Sequence, residues 1–490
     1  MVFPILGANS ATGGYEVSKS LRFDNDDSTF LSLTQTAGNR RTLTFSTWLK
    51  RSTLGDQNIF NGGNSSSEFT AIYFTSADEL FLYDYRGAEG MSIKTNRKFR
   101  DVAAWYHIVV AFDTTQSTAS NRVKFYVNGV QETSFSSSNY PAQNLDLMLN
   151  VNSSFTTRIG RYPTSSTLYF DGYMCETAVV EDSQLDPTSF GEFDDNNVWI
   201  PKDLSSLTFG DEGFYLKYED TSDAGADSSG NGNNFTGSGM GAIDHVEDTC
   251  TNNFATLNVL KTTSTNANLQ DGACRFNVTA NGTSQNRNTF ATITFPDSGK
   301  WYMETKVTHS SLTSDSGNQV YIGVVENPQN VDHRSTSNVN SISTNGIFTD
   351  VRLVGTISDA IQHGTNGSAT SYNTDPDWSS GNIIGIALDM DNGRIYYHLN
   401  GTYYDDASGN VPNPATPANH NHSFTVPSNG LTFFMSILRY NTGTVNMQTN
   451  FGNPTYSVSS GNNDGKYGNF EYAPPSGYYA LCTKRLAEFG

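Results

Sequence analysis

The 490-residue sequence is poor in charged residues and in cysteine, and it contains no long apolar run. Because a membrane-spanning helix needs about 18 or more consecutive apolar residues, a helical membrane span is excluded. The four cysteines, Cys175, Cys250, Cys274 and Cys482, lie far apart without a C-x-x-C pair. This spacing excludes a compact zinc knuckle or a thioredoxin-like motif, and we expect four unpaired thiols. The N-terminal residues have no basic flank before their short apolar stretch, so we expect no signal peptide.

Positive charge is also scarce. The sequence has 29 Lys and Arg against 49 Asp and Glu, which gives a formal net charge of −20. Much of the acidic excess falls in residues 191–255, which contain 2 basic and 13 acidic residues. A chain this acidic repels phosphate backbones and anionic lipid headgroups. We therefore expect neither nucleic-acid binding nor membrane insertion.

Glycine, aromatic residues and short alternating runs are abundant. The sequence contains 43 Gly, and 12% of its residues are aromatic. Apolar and polar residues alternate in residues 43–49, 123–127 and 214–218, a pattern typical of strands with one buried face. The pair Asn128-Gly129, directly after one of these runs, indicates a tight hairpin. With no sustained helical periodicity, the sequence predicts an all-β chain made of antiparallel sandwiches.

The pattern divides the chain into five segments. Residues 1–14 form an N-terminal arm suited to docking on a larger particle. Residues 15–190 and 256–455 are predicted to form two antiparallel β-sandwich domains. Residues 191–255 form an acidic, Gly- and Asn-rich connector, which we expect to be structured because part of it alternates like a strand. Residues 456–490 form a turn-rich C-terminal tail.

Residues 20–190 resemble the laminin G-like members of the concanavalin A-like sandwich family. The order and spacing of six motifs carry the resemblance: Leu21-Arg22-Phe23-Asp24, Phe45-Ser46-Thr47-Trp48-Leu49-Lys50, Trp105-Tyr106-His107-Ile108-Val109-Val110, Val123-Lys124-Phe125-Tyr126-Val127-Asn128-Gly129, Ile159-Gly160-Arg161 and Phe170-Asp171-Gly172-Tyr173-Met174. The resemblance implies a jelly-roll sandwich. The sequence departs from the family pattern at Cys175-Glu176, so the resemblance assigns no cation ligand to that strand.

Residues 290–452 resemble a SPRY domain, which is a second type of β-sandwich. The matching motifs are Gly299-Lys300-Trp301-Tyr302-Met303-Glu304, Tyr321-Ile322-Gly323-Val324, Gly381-Asn382-Ile383-Ile384-Gly385-Ile386-Ala387-Leu388-Asp389, Ile395-Tyr396-Tyr397-His398-Leu399-Asn400-Gly401 and Asn450-Phe451-Gly452. A laminin G-like module, this connector and a SPRY domain together look like structural proteins of marine tailed bacteriophages. That resemblance implies a tail-fibre, appendage or host-attachment component of the virion.

Residue patterns typical of catalysis are not apparent in the sequence. A glycoside hydrolase needs two carboxylates that face one site, and the nearest spaced pair, Asp389 and Asp391, falls where a hairpin turn is predicted. His107 lies inside a predicted strand, which favours a packed side chain over a general base. There is no Gly-x-Ser-x-Gly nucleophile elbow. We therefore expect no enzymatic activity.

The candidate ligand-binding residues are side chains near predicted turns: Tyr83, Tyr85, Arg86, Trp378, Tyr403 and Tyr404. An exposed aromatic ring packs on a sugar ring, or on an apolar patch of a partner, at low entropic cost. Simple surface exposure and packing between subunits are the alternative explanations.

Two further groups have the atoms of a metal site. The oxygen atoms of Asp223, Asp227 and Asn231 suit Ca²⁺, although turn formation also explains this cluster; no other cofactor is expected. His420 and His422 bring two imidazoles close together. Because they lie in a proline-rich loop without an apparent third ligand, we expect solvated side chains there.

These observations predict a non-enzymatic phage virion protein that is made in the host cytoplasm and incorporated into the particle. Its expected partners are other virion proteins and a glycan or protein of the host cell surface. A homo-oligomer is expected, with a trimer favoured. Two alternatives stay open: a capsid or tail decoration protein without a receptor role, and a carbohydrate-active enzyme.

Overall fold

The computed structural model describes residues 14–149, 155–163, 168–262, 267–279, 285–310, 319–326, 347–354, 357–365, 368–373, 379–439 and 443–490. Strand accounts for 46% of the residues and helix for 5%, which confirms the predicted all-β class. The chain forms two compact units, Met1–Asn253 and Phe254–Gly490. All four cysteines are buried, and none of them is in a disulfide bond. None of the described helices is long and apolar enough to cross a membrane.

The described strands of the first unit are β1 (Ser20–Phe23), β2 (Phe30–Leu33), β3 (Thr42–Arg51), β4 (Gln57–Ser65), β5 (Glu68–Phe74), β6 (Glu79–Arg86), β7 (Glu89–Lys98), β8 (Tyr106–Asp113), β9 (Val123–Val127), β10 (Val130–Glu132), β11 (Phe135–Asn139), β12 (Thr156–Ile159), β13 (Gly172–Glu181), β14 (Gly191–Phe193), β15 (Trp199–Pro201), β16 (Phe214–Leu216), β17 (Thr236–Ser238) and β18 (His245–Val246). Sheet 1 has the order β10-β9-β8-β3-β13-β1-β18, and β16 also pairs with β13. Sheet 2 has the order β11-β7-β6-β5-β4-β12-β2-β17.

The two sheets of the first unit enclose one apolar core. Successive side chains of a strand point to opposite faces, so alternate residues such as Leu43 and Phe45 of β3 enter this core. Across it, Phe45 stacks on Phe60 of β4 with ring centroids 4.5 Å apart. This period of two is the pattern from which the sandwich was predicted.

The predicted connector is built into the first unit. Three of its strands extend the two sheets, because β16 pairs with β13, β17 with β2 and β18 with β1, whereas β14 and β15 pair with each other. Phe190, Leu204, Phe209 and Tyr215 pack on the outer face of sheet 1, against the side chains that point away from the core. We call this surface the covered face of the first unit.

The described strands of the second unit are β19 (Ala267–Gln270), β20 (Arg275–Thr279), β21 (Gln285–Phe290), β22 (Lys300–His309), β23 (Gln319–Glu326), β24 (Ile347–Val354), β25 (Ile357–Thr365), β26 (Ser368–Asn373), β27 (Ile383–Asp389), β28 (Arg394–Leu399), β29 (Thr402–Tyr403), β30 (His422–Ser423), β31 (Leu431–Arg439), β32 (Thr444–Asn450) and β33 (Tyr479–Ala480), followed by helix α1 (Thr483–Phe489). Sheet 3 has the order β19-β20-β32-β22-β27-β28-β29, with β30 beside β28 and β33 beside β22. Sheet 4 has the order β21-β31-β23-β24-β25-β26.

The C-terminal tail packs on the outer face of sheet 3. Its strand β33 runs parallel to β22, and its side chains Phe470 and Tyr478 join Tyr302 and Tyr396 in a buried cluster. We call this surface the covered face of the second unit. In both units, chain that follows the predicted sandwich therefore buries the outer side of one sheet.

Candidate ligand-binding site

Half-buried aromatic rings line the outer face of sheet 2. We define the aromatic face as the rings of Tyr73, Phe81, Tyr83, Tyr85 and Tyr162. Three of the five come from β6, where their even-numbered neighbours Leu80 and Leu82 enter the core. The alternation of a strand thus places every second ring of β6 on the side that faces away from the core.

The rings of the aromatic face form a continuous row. Ring centroids are 5.2 Å apart for Phe81 and Tyr83, and 6.0 Å apart for Tyr83 and Tyr85, whose planes differ by 20°. Tyr73 of the neighbouring strand extends the row, 5.1 Å from Phe81. These separations are those of favourable aromatic pairs. The row is therefore held in place before any ligand binds.

Phe69 of β5 packs against three rings of the aromatic face. Only 2% of its surface is exposed, and its ring lies 5.8 Å from that of Tyr83, 6.3 Å from that of Tyr85 and 5.2 Å from that of Tyr162. Opposite Tyr83, β5 carries the small residue Ala71. A small residue beside large rings leaves part of each ring face uncovered.

The hydroxyl groups of Tyr83 and Tyr162 in the aromatic face are neutral at pH 7. Burial raises the pKa of Tyr162 to about 12, and burial together with the charge of Glu89 raises the pKa of Tyr83. A neutral phenol both donates and accepts a hydrogen bond. The face thus offers apolar ring surface with hydroxyl groups, a combination that suits binding of a sugar or of a protein surface.

Arg86 does not belong to this face, contrary to the prediction that grouped it with Tyr83 and Tyr85. Its Nε donates to Oδ1 of the fully buried Asp84 at 2.8 Å, and its guanidinium also contacts the carbonyl of Asp146. Arg86 and Asp84 occupy even-numbered positions of β6, so they project to the other side from the tyrosines. The prediction also placed the tyrosines near a turn, whereas the structure places them on a strand.

The predicted site in the second unit is not supported by the structure. Tyr404 is completely buried and packs in the core of the second unit, so the prediction of an exposed ring is wrong. Tyr403 is half-buried, and its ring stands edge-on to that of His398 at 5.5 Å. Strand alternation explains why neighbouring tyrosines have such different surroundings. Trp378 lies outside the described residues.

The predicted calcium ligands serve instead to hold their loop together. Asp227 accepts hydrogen bonds from the backbone N–H groups of Tyr215, Ser229 and Asn233, each at 2.9 Å. The side-chain amide of Asn231 donates to the carbonyl of Gly213, also at 2.9 Å.

Asp223 likewise closes a local turn, in which its Oδ1 accepts from Gly225 N at 3.0 Å. Because N–H and O–H donors occupy the lone pairs of the Asp227 carboxylate that a cation would need, the cluster of Asp223, Asp227 and Asn231 does not fit a calcium cage. Binding of Ca²⁺ elsewhere on the chain stays a prediction.

His107 is a packed side chain, as its position in a strand predicted. Its Nδ1 accepts from Nε1 of Trp199 at 2.9 Å, so its Nε2–H donates to Oγ of Ser46 at 2.9 Å. Burial lowers the pKa of His107 to about 3. The ring is neutral and sealed from substrate, which does not suit a general base.

The predicted histidine pair gains a third member in the structure. His363 of β25 stacks on His422, with ring centroids 3.9 Å apart and planes 19° apart. Burial, together with repulsion from His363 and His420, lowers the pKa of His422 to about 4. Metal ligation uses lone pairs in the plane of the ring, whereas these two rings meet face to face.

A small cavity of about 280 Å³ lies in the first unit. Its lining is largely polar and consists of Asn25, Thr53, Leu54, Asp56, Gln57, Leu168 and Tyr169. Near it, the guanidinium of Arg161 lies 4.7 Å above the ring of Phe30 and 5.8 Å above that of Tyr169. The cavity is a second place for a small polar ligand, although it offers much less ring surface than the aromatic face.

Comparison with known protein families finds a match within the first unit. Residues 24–186 match the sequence model of the concanavalin A-like lectin/glucanases superfamily, in its laminin G form. No curated protein matches the chain.

Three solved structures illustrate the likeness. A native heptameric SAP-like pentraxin from Limulus polyphemus is 18% identical, with 35% of this chain and 80% of that chain covered and a TM-score of 0.27. Domains LG4-5 of the mouse laminin alpha1 chain are 9% identical, with 86% and 82% covered and a TM-score of 0.27. The SPRY domain of human HERC1 is 12% identical, with 39% and 96% covered and a TM-score of 0.25. Over residues 24–186, the first unit is therefore similar in sequence to laminin G-like domains of the concanavalin A-like type.

Proposed function

We propose that this chain is a non-enzymatic component of a phage virion, of the tail-fibre or appendage type, and that its aromatic face binds carbohydrate on the host cell surface. The observation that carries the proposal is the row of half-buried rings on the outer side of sheet 2. A sheet face made of neighbouring rings presents a continuous apolar surface over the length of several sugar units.

Sugar binding fits the chemistry of this face. The apolar side of a pyranose ring packs on an aromatic ring, while neutral tyrosine hydroxyls exchange hydrogen bonds with sugar hydroxyls. The rings are fixed by their contacts with one another and with Phe69, so little conformational entropy is lost on binding. A lectin-like sandwich with such a face is suited to recognition rather than turnover.

The proposed place in a virion rests on the order of modules in the sequence. A phage appendage carries several copies of its binding protein, and several weak sites that engage one surface together bind far more tightly than one. We therefore include a homo-oligomer, with a trimer favoured, in the proposal. Salt screens the attraction between opposite charges and so weakens charge-driven adhesion. An acidic protein gains no such attraction from a negatively charged cell surface, which fits a site that relies on ring stacking.

The proposal is tested by binding of purified protein to an array of bacterial surface polysaccharides and to intact bacterial cells. The double substitution Tyr83→Ala with Tyr85→Ala is expected to weaken binding about ten-fold or more, because it removes two adjacent rings of the row. The matched control is Phe193→Ala, which removes a ring that is 47% exposed on β14, outside the aromatic face. Equal binding by the double variant and the wild type would refute the aromatic face as the site.

Two rival functions give different results in the same assays. A decoration protein would bind no cells and would not compete with phage for adsorption, yet particle assembly would require it. A carbohydrate-active enzyme would shorten the bound polysaccharide over time. Raised salt should leave binding largely intact if ring stacking dominates.

A further inference from the structure

Three polar side chains meet beneath the covered side of sheet 1, away from the aromatic face. Nζ of Lys50, in β3, lies 2.8 Å from Oδ2 of Asp248 and 2.7 Å from Oδ1 of Asn253. The side chains of Lys50 and Asp248 are each 1% exposed. An amine, a carboxyl group and a carboxamide are thus in mutual contact, although 203 positions of sequence separate Lys50 from Asn253.

The surroundings of this trio are aromatic and hold its members in place. The ring of Tyr173 lies 5.4 Å from Nζ of Lys50, and Nε1 of Trp105 donates to Oδ1 of Asp248 at 3.2 Å. Nδ2 of Asn253 donates to the carbonyl of Ala103 at 2.6 Å. Separated charges are costly in such an environment. Transfer of a proton from Lys50 to Asp248 therefore has a favourable setting, and it leaves a neutral amine beside a carboxamide.

We propose that Lys50 and Asn253 condense to an intramolecular amide bond, with Asp248 as the proton carrier. Asp248 takes a proton from Nζ, and the Nζ lone pair attacks Cγ of Asn253 after the amide turns its face towards it. The bond from Nζ to Cγ forms, and the bond from Cγ to Nδ2 breaks. Both protons lost by Nζ pass through Asp248 to the departing nitrogen, which leaves as ammonium. Asp248 ends as it began, and no oxidant or other reactant is consumed.

The geometry favours this reaction because the reacting groups are already in contact. Fixing two reactants side by side removes a large part of the activation barrier that a bimolecular amide exchange would face. The product closes a loop that spans most of the first unit, and cross-links that close long loops restrict the unfolded chain most strongly. The bond would therefore fasten the end of the first unit to the central strand β3, independently of the proposed sugar-binding function.

The test is the intact mass of the purified, full-length protein after denaturation, followed by peptide mapping. The expected mass is lower than that of the sequence by one ammonia, and the expected map contains one branched peptide that joins Lys50 to Asn253. Trypsin should not cleave after Lys50, because its amine is acylated. A full sequence mass, or an ammonia loss without the branched peptide, would overturn the proposal.

Variants of Lys50 and Asp248 test the roles of these two residues. Lys50→Met and Asp248→Asn are both expected to restore the full mass of their own sequences, and to lower the thermal midpoint of the first unit. Lys19→Met is the matched control, since Lys19 makes a longer, half-buried contact with Glu247 at 3.8 Å and should keep the branched peptide. If Asp248→Asn folds and still forms the branched peptide, Asp248 is not the proton carrier. If either variant fails to fold, the wild-type peptide map still decides whether the bond exists.

Discussion

The two outer faces of the first unit carry similar residues but have different surroundings. The outer face of sheet 1 has aromatic and apolar side chains, and residues of the predicted connector bury them. The outer face of sheet 2 also has aromatic side chains, and the described residues leave five of its rings half-buried. The chain itself thus covers the apolar outer face of sheet 1. The uncovered face is therefore the better candidate for contact with a partner or ligand.

Buried polar groups mark the covered faces of both units. His107 in the first unit and His398 in the second are both fully buried, and burial lowers the pKa of each to about 3. Each covered face also holds a buried carboxyl group, Glu176 or Glu304, whose pKa is raised mainly by burial. The aromatic face, in contrast, consists of tyrosine and phenylalanine rings. Stability should therefore depend on pH through the covered faces, while binding should depend on the rings of the aromatic face.

The largest effect is expected for Glu304→Ala in the second unit. Glu304 accepts hydrogen bonds from the hydroxyls of Tyr302 and Tyr456, each at 3.0 Å, and from the backbone N–H groups of Glu471 and Tyr472 at 3.0 and 2.7 Å. Leaving several buried donors without an acceptor costs about 3 kcal/mol or more of the free energy of unfolding. Urea unfolding followed by circular dichroism measures this loss.

The control for this prediction is Glu471→Ala. It removes an exposed carboxylate that bonds Ser459 but keeps the backbone N–H that bonds Glu304, so we expect a loss below about 1 kcal/mol. Proteolysis should release the C-terminal tail from Glu304→Ala and not from Glu471→Ala. Equal losses in the two variants would contradict the role of Glu304 in holding the tail.

The next effect is the acid sensitivity conferred by His107. The imidazole has a pKa of about 3 in the folded chain and about 6.5 when unfolded, so the unfolded chain binds the proton more tightly. Its contribution to stability is complete above pH 6.5 and is lost as the pH falls towards 3. Between pH 7 and 4.5 the loss is about 2.5 kcal/mol. We expect His107→Gln to be less stable at pH 7 but to lose that much less on acidification, as measured by tryptophan fluorescence in urea.

Glu176 should act in the opposite direction and by a similar amount. Burial raises its pKa to about 7 in the folded chain, so its contribution is complete below pH 4.5 and is lost as the pH rises through 7. Between pH 5 and 8 this loss is about 2.5 kcal/mol. Glu176→Gln keeps an acceptor for the hydroxyl of Tyr215 and should show a flatter stability profile over this range. A profile parallel to that of the wild type would mean that Glu176 is ionised when folded.

The sequence predicted the fold better than it predicted the site. Strand alternation and hairpin signals reveal which residues are inside each sandwich, and these features are local. Whether an outward-pointing side chain is exposed depends on what lies over it. Strand alternation in the sequence is enough to predict the row from Phe81 to Tyr85, because odd-numbered aromatic residues alternate with core leucines there. The grouping with Arg86 was wrong because the same alternation turns the side chain of Arg86 to the other side of β6.

Tyr404 and Lys50 show what sequence reasoning misses. Tyr404 follows a hairpin strand and resembles a rim residue, yet the chain turns its ring into the core. Lys50 is surrounded by strand residues in the sequence, and its partners Asp248 and Asn253 lie about two hundred positions away. Contacts at such a separation depend on the packing of the predicted connector, which no local pattern specifies.

The smallest effect, and the sharpest test of the aromatic face, is expected for Tyr83→Phe. The substitution keeps the ring and its stacking on Phe81 and Tyr85 but removes one hydroxyl. Because that ring lies outside the core, we expect the free energy of unfolding to change by less than about 0.5 kcal/mol. Loss of one sugar hydrogen bond should cost about 0.5–1.5 kcal/mol of binding free energy, roughly a two- to ten-fold weaker Kd. Tyr83→Ala should weaken binding further, because the stacking surface is also lost. Titration calorimetry with a polysaccharide fragment selected from the array separates the two contributions.

If Tyr83→Phe binds as poorly as Tyr83→Ala, the hydroxyl and not the ring determines recognition. If both variants bind like the wild type while the double variant with Tyr85→Ala does not, the ligand sits over Tyr85 and the centre of the site moves towards the β6–β7 turn.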